Sequence, residues 1–313
     1  MRVLHLSDIH YSLGAKDARR GADGCGDNAH GAVAEVGDCP LSLPAAEFYP
    51  AMVDRLGDVL PAFEACLREG LAADDAGERV GAIVLTGDFV ERGGAAAYRA
   101  VGEVVHRVCR EVLGAVVPCI VTPGNHDDRA ALRAGWPGAL SGLGGEPLLY
   151  TCEVAGSRFI SFDTSEPGHA DGYVDAERLA WLRGELETAA SRGQMALVCT
   201  HHHMDPSQTD MPALPGAVEL LELLRRPGVA VLNGHTHHQA HRVYEGVEYH
   251  TADATSFQAD PCDVRPAGGA PVRAVRFRRL SGYNVYDVRD RRIVRACAVT
   301  YDGGDVLGDM LLG

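Results

Sequence analysis

Ten residues of this chain have types and spacings that could do chemistry: Asp8, His10, Asp88, Asn125, His126, Asp127, His201, His202, His235 and His237. They fall into short motifs, Asp8-x-His10, Gly87-Asp88, Gly124-Asn125-His126-Asp127, His201-His202 and Gly234-His235-x-His237. Carboxylate plus imidazole suits a borderline transition metal: Mn, Fe, Zn or Co. No cysteine lies in the motifs, which argues against a closed thiolate zinc site. Asp8, His10, Asp88, Asn125, His201, His235 and His237 are more ligands than one four-coordinate ion can use. Two ions sharing a bridging carboxylate use them all and keep positions open for water and substrate. Two metals about 3.5–4 Å apart suit in-line displacement at phosphorus.

Each motif alone has a plain reading. Gly87-Asp88 is a common turn, Asp127 could cap a following helix, and Gly234-His235-Thr236-His237 could be a solvated turn. Their placement gives them weight. Each follows a predicted buried strand: Val3–Ser7, Ala82–Thr86, Val116–Thr122, Met195–Thr200 and Val229–Leu232. Ligands in open α/β sheets sit outside the carboxyl ends of strands, so five strand ends converge on one place.

Between these strands the period changes to that of helices. Val53, Leu56, Leu60, Phe63 and Leu67 form one face, which Pro61 should kink or divide. Tyr98, Val101, Val105, Val108 and Val112 repeat it. Asp175 is a good N-cap for a helix with Leu179, Leu182 and Leu186, and Val218, Leu221 and Leu224 suggest another. Leu148–Val154 and Arg158–Phe162 read as strands around Ala155-Gly156-Ser157. From Arg242 onward the chain reads as all strand, including Tyr283–Val288 and Ile293–Tyr301 about a charged turn. The expectation is an α/β fold with a β-rich C-terminal part, as one domain over 1–313.

The 313 residues carry a net charge of −14, which disfavours a nucleic-acid polymer as partner. No apolar run approaches the roughly 18 residues of a membrane span, and the N-terminus reads straight into a strand, so a cytoplasmic protein without a leader is expected. The nine scattered cysteines fit reduced thiols, with a Cys25–Cys39 pair as the minor alternative. The Gly-, Ala- and Asp-rich segment 14–37 reads as a flexible surface insert; its sharper reading is a lid that brings Asp27 or His30 to substrate.

In this order the motifs resemble the calcineurin-like metallophosphoesterase superfamily, over about Arg2 to Ser256. Leu85-Thr86-Gly87-Asp88-Phe89-Val90 and Pro123-Gly124-Asn125-His126-Asp127-Asp128-Arg129 are similar to two of its blocks. Pro167-Gly168-His169-Ala170-Asp171-Gly172, Leu179-Ala180-Trp181-Leu182, Thr255-Ser256-Phe257-Gln258 and Gly282-Tyr283 resemble the class III cyclic nucleotide phosphodiesterases, a branch that includes glycerophosphodiesterases. The chain departs from that branch at His203-Met204-Asp205-Pro206, where proline usually comes sooner, and in a longer stretch after His10.

The resemblance implies a four-layer αββα sandwich and a dinuclear phosphodiesterase acting on a small phosphate ester. Asp8, His10 and His237 would hold the first metal, Asn125, His201 and His235 the second, and Asp88 would bridge them. A bridging hydroxide would attack phosphorus in line. His126 would sit beside the phosphate and serve the leaving oxygen, with Asp127 orienting its imidazole. His202 would either face substrate or pack behind the site. A homodimer is compatible with this reading. The alternatives are a phosphomonoesterase or nucleotidase on the same fold, a nuclease, and a non-catalytic scaffold. A scaffold should have lost ligands, whereas all seven are present.

Overall fold

The computed structural model describes residues 1–14, 42–73, 77–138, 140, 143, 145–209, 211–265 and 270–311. The expected insert beyond Gly14, with Asp27 and His30, and the Cys25–Cys39 pair lie outside the described residues.

In chain order the strands are β1 (Arg2–Leu6), β2 (Tyr11–Ser12), β3 (Ser42–Pro44), β4 (Val80–Thr86), β5 (Val90–Arg92), β6 (Cys119–Thr122), β7 (Tyr150–Val154), β8 (Ser157–Ser161), β9 (Met195–Cys199), β10 (Val229–Asn233), β11 (Ala240–Tyr244), β12 (Val247–Thr251), β13 (Phe257–Val264), β14 (Val272–Arg289) and β15 (Arg292–Leu311). The helices are α1 (Ala45–Leu56), α2 (Leu60–Ala72), α3 (Gly94–Leu113), α4 (Arg129–Gly135), α5 (Ala176–Ser191) and α6 (Ala217–Leu224). One sheet runs β3-β15-β14-β1-β4-β6, with β13 added on β14; a second runs β11-β12-β10-β9-β8-β7; β2 and β5 make a small third.

β1, β4, β9 and β10 are nearly continuous apolar runs because both of their faces are buried. Their side chains alternate between two cores. Leu4, Leu6, Ile83 and Leu85 pack with residues of α1, α2 and α3, while Val3, Ala82 and Val84 face the second sheet. On that sheet Met195, Leu197, Cys199, Ala230 and Leu232 face inward, and Ala196, Val198 and Val231 pack with α5 and α6. Three cores separate four layers, giving the αββα sandwich expected. None of the described helices is long and apolar enough to cross a membrane.

Pro61 divides the first helical face in two. It stands in the first turn of α2, where no intrahelical N–H bond is required. Asp175 caps α5 as expected, accepting from Arg178 N at 2.7 Å. In α6, however, Val218 is 68% exposed and Leu220, Leu221, Leu223 and Leu224 face the core. A two-turn helix has too few apolar positions for its spacing to fix the face. The tail is all strand, but β14 and β15 run far past the segments read from sequence. Register shifts at Phe277/Arg278, Arg278/Leu280 and Asp287/Val288 break the two-residue period that marks a strand.

Candidate metal centre

β1, β4 and β6 are parallel neighbours, as are β8, β9 and β10, so their carboxyl ends open on one edge of the sandwich. There the loops after β1 and β4 run side by side: Asp8 N donates to Gly87 O at 3.1 Å and His10 N to Asp88 O at 2.8 Å. Asp8, His10, Asp88, His235 and His237 all have positive φ, between 52° and 74°. Among the described residues the other non-glycine positions of this kind, Ala155, Glu245, Asp290 and Arg291, sit in turns between antiparallel strands. A left-handed backbone is costly for residues with a Cβ and clusters where the surroundings enforce a functional geometry. Glycine is required beside it. Gly124 packs so closely that a Cβ there would run into the Asp88 carboxylate, and one on Gly234 would run into Ser7 and Asp8.

The donor atoms converge with their protons turned away. Carbonyl oxygens only accept, so His201 Nδ1, 2.6 Å from Thr86 O, and His237 Nδ1, 2.7 Å from Phe257 O, carry the ring protons. Glu91 Oε1 takes His10 Nδ1 in the same way at 2.5 Å. In neutral rings each Nε2 is then a bare lone pair. His201 Nε2 faces Asp88 Oδ2 at 3.3 Å, Asn125 Oδ1 at 3.2 Å and His235 Nδ1 at 3.2 Å. His237 Nε2 faces Asp8 Oδ1 at 3.3 Å and His10 Nε2 at 3.2 Å, and His10 Nε2 lies 3.7 Å from Asp88 Oδ2. His10 Nε2 against His237 Nε2, His237 Nε2 against Asp8 Oδ1 and His201 Nε2 against Asp88 Oδ2 are acceptors turned on acceptors, which in a buried site call for positive charge between them. Donors on one ion at about 2.1 Å lie roughly 3.0–3.4 Å apart, close to the spacing seen.

The residues present therefore fit metal ions. Asp8, His10 and His237 form one group, and Asp88 Oδ2 stands between it and the group of Asn125, His201 and His235. Asp88 Oδ1 meanwhile accepts from His126 N at 3.0 Å. Burial opposes the Asp88 charge, but His201 and His126 hold its carboxyl well below the usual range. Burial also opposes charge on His201, yet Asp88 pushes it up to about 9. A proton is drawn to the spot where a cation belongs.

The seven expected ligands thus come together. His126 lies half-buried on the cavity side, its ring centroid 5.1 Å from that of His10. Two expectations need correction. Asp127 does not orient His126: its Oδ1 accepts from Phe89 N, Val90 N and the Tyr98 hydroxyl, and its Oδ2 from Gly124 N. It holds the loops together, and Asp128, one residue later, caps α4. The orienting carboxylate is Glu91, whose Oε1 lies 2.9 Å from His126 Nδ1. His202, offered as a substrate contact, is fully buried behind His201 and His235, with Nδ1 on Thr164 Oγ1 at 2.8 Å. It does not line the cavity.

Glu91 and Tyr49 are the residues that sequence reading missed. Tyr49 donates to Glu91 Oε1 at 2.6 Å. Glu91 stands three residues past Asp88, directly after the Leu85–Val90 block, but no spacing in the sequence marked either it or Tyr49. Burial opposes charge on His126, but Asp88 and Glu91 outweigh it and push the imidazole up to about 10. The Thr255-Ser256-Phe257 segment supports the ligands from behind: Ser256 Oγ donates to Asp8 O at 2.7 Å and Phe257 O receives His237. In front lies a cavity of about 450 Å³ reached by His10, Asp88, Asn125, His126, His235 and His237.

The chain is similar to several known phosphodiesterases. A cAMP/cGMP dual specificity phosphodiesterase, MT0825, of Mycobacterium tuberculosis is 35% identical over 82% of this chain and 74% of its own. The glycerophosphodiester phosphodiesterase GpdQ of Enterobacter lignolyticus is 32% identical over 60% of this chain and 68% of its own. The 3',5'-cyclic adenosine monophosphate phosphodiesterase CpdA of Escherichia coli is 28% identical over 57% of this chain and 62% of its own. The model of the calcineurin-like phosphoesterase family matches residues 1–239, and the chain belongs to that family.

Proposed function

We propose that this chain hydrolyses a small phosphodiester, of the cyclic nucleotide or glycerophosphodiester type, at a dinuclear metal centre. The observation that carries the reading is the ring of lone pairs around Asp88, on both sides of one carboxylate oxygen. Asp8, His10 and His237 would hold one ion, Asn125, His201 and His235 the other, and Asp88 both. The donor set suits Mn, Fe, Zn or Co. When bound, the ions supply Lewis acidity to the phosphoryl group and water acidic enough to attack phosphorus near neutral pH.

The chain's own residues do the rest. His126 projects beside the centre with its Nδ1 proton on Glu91, leaving Nε2 to meet the departing oxygen. Held as imidazolium by Asp88 and Glu91, it can donate a proton there. The family relatives support the substrate class, through the activities their names state. Asp88→Ala tests the reading. Bound metal and turnover of a chromogenic diester should vanish together; near-normal turnover by that variant would sink it. Faster hydrolysis of monoesters than of diesters by the wild type would move the assignment to a phosphomonoesterase.

A further inference from the structure

The segment between β8 and α5 carries four carboxylates, Asp163, Glu166, Asp171 and Asp175. Three of them hold the segment in shape. Asp163 Oδ2 pairs with Arg129 Nε at 2.8 Å and accepts from Leu148 N at 2.8 Å, and its Oδ1 accepts from Ser165 N at 2.9 Å. Glu166 Oε2 accepts from Arg178 Nη2 at 2.6 Å, and Asp175 caps α5. Arg129 and Arg178 are themselves buried and also donate to the backbone, Arg129 to Ser165 O and Arg178 to Tyr173 O. Backbone bonds close the turns: His169 N donates to Glu166 O at 3.0 Å, Gly172 N to His169 O at 3.1 Å and Tyr173 N to Thr164 O at 2.8 Å.

The fourth carboxylate, Asp171, has no hydrogen bond or ion pair with the described residues. It is half-buried and lines the same cavity as Asn125, His126 and His235. That cavity, about 450 Å³, has the size of a site for one small molecule. Gly172, the next residue, has a φ of +83°, and a Cβ there would lie 2.6 Å from His202 Nδ1 and 2.7 Å from Leu214 Cδ1. The segment is therefore pressed against His202, whose ring centroid is 5.0 Å from that of His201 and 4.7 Å from that of His235. Through His202 the place of Asp171 is set relative to the proposed ligands. Thr236, also on the cavity, is already engaged: its hydroxyl donates to His238 O at 3.3 Å and accepts from Gln208 Nε2 at 2.9 Å. Phe257, Ala259, Val275 and Phe277 make another part of the wall apolar.

We propose that Asp171 is a specificity-determining contact, its carboxylate accepting a hydrogen bond from a hydroxyl group on the ester arm of the substrate. The proposal rests on the phosphodiesterase reading and does not choose between the substrate types named there, since both carry such a hydroxyl. An ionised carboxylate can only accept, and a hydrogen bond to it is stronger than one between neutral groups. A substrate without the hydroxyl would cover Asp171, strip it of water and leave it without a donor, which is the arrangement that discriminates most sharply between close analogues. Ions at the neighbouring centre would repel an ammonium group, so the donor that fits is neutral.

The experiment uses matched pairs of diesters that differ only in hydroxyl groups: adenosine 3',5'-cyclic phosphate with its 2'-deoxy analogue, and glyceryl methyl phosphate with propyl methyl phosphate. The quantity measured is kcat/KM for each, on metal-loaded wild type, Asp171→Ala and Asp171→Asn. The wild type should favour the hydroxyl-bearing member of at least one pair by about ten-fold or more, the discrimination expected of a hydrogen bond to a charged group. Asp171→Ala should bring that ratio close to one by slowing the hydroxyl-bearing member while its partner changes little. Asp171→Asn, whose amide oxygen still accepts, should keep part of the preference. Metal content should be that of the wild type in both variants. If neither pair shows a preference in the wild type, if the preference survives in Asp171→Ala, or if that variant slows both members of the pair alike, the proposal fails while the phosphodiesterase reading stands. If the metal-loaded wild type hydrolyses none of these diesters, both fail.

Discussion

Glu91 Oε1 sits 2.9 Å from His126 Nδ1 and 2.5 Å from His10 Nδ1, so one carboxylate oxygen joins a histidine of the proposed metal centre to the half-buried histidine beside it. Tyr49 adds a third donor to the same oxygen at 2.6 Å. Through this atom the orientations of His10, the proposed ligand, and of His126, the proposed acid–base group, are set together.

Glu91→Gln should therefore affect both. The amide keeps an acceptor but loses the charge that favours His126 as imidazolium and that makes His10 a better ligand. Activity is expected to fall about 10- to 100-fold, with weaker affinity for the ion on the His10 side. Steady-state kinetics together with metal titration check this. Equal loss of rate at saturating metal would assign Glu91 mainly to His126; full recovery at high metal would assign it mainly to His10.

The contrast between Glu91 and Asp127 shows where the sequence was legible and where it was not. The seven proposed ligands stand at strand ends, and strand ends can be read from runs of buried apolar residues followed by glycine, as in Thr86-Gly87-Asp88 and Thr122-Pro123-Gly124. The same runs showed an α/β fold with a β-rich tail, while the four layers were implied only by the family resemblance. Orientation of His126 was assigned to its chain neighbour Asp127, but backbone N–H groups of Phe89, Val90 and Gly124 and the Tyr98 hydroxyl occupy that carboxylate. Glu91 arrives instead from β5, whose position beside the loop depends on pairing with β2. Such non-local register leaves no local pattern. Tyr49 is more remote still, since only the packing of α1 brings it to Glu91.

Gly124→Ala should remove metal without unfolding the chain. The added Cβ would point at the Asp88 carboxylate and the backbone of Asp88, neither of which can give way without moving the shared ligand. A folding cost of about 1–3 kcal/mol is expected from such overpacking. Circular dichroism should show the native fold while elemental analysis shows reduced metal and kinetics show little turnover. Normal metal content would mean that Asp88 has freedom the structure does not display.

Far from the site, Glu64 on α2 links to α3. Arg107 donates to it through Nη1 at 3.0 Å and Nη2 at 2.6 Å, and Arg68 adds a bond at 2.8 Å. Arg107 above all, with Arg68, lowers the Glu64 carboxyl from 4.5 to about 2 against a modest desolvation. A depressed carboxylate pKa gives stability that is present above the unfolded value and is lost as pH falls through the folded one. Glu64→Gln should thus destabilise the protein at pH 7, by about 0.5–1 kcal/mol because the pair is largely solvated. The difference from wild type should shrink as pH is lowered from 4.5 toward 2. Thermal unfolding across that range measures it, and a constant difference would refute the ion-pair origin.

His126→Ala separates proton donation from metal binding. Its Nδ1 is committed to Glu91, and His126 is not among the seven proposed donors. Metal content should stay near that of the wild type. Loss of general acid catalysis typically costs 10²–10⁴-fold in rate. The loss should depend on the leaving group: large for an alkoxide, which needs a proton as the P–O bond breaks, and small for 4-nitrophenolate, which leaves unaided. A uniform loss across leaving groups would instead place His126 in phosphate binding. Loss of metal would show that the His126 ring, which shares Glu91 Oε1 with His10, also holds that proposed ligand in position.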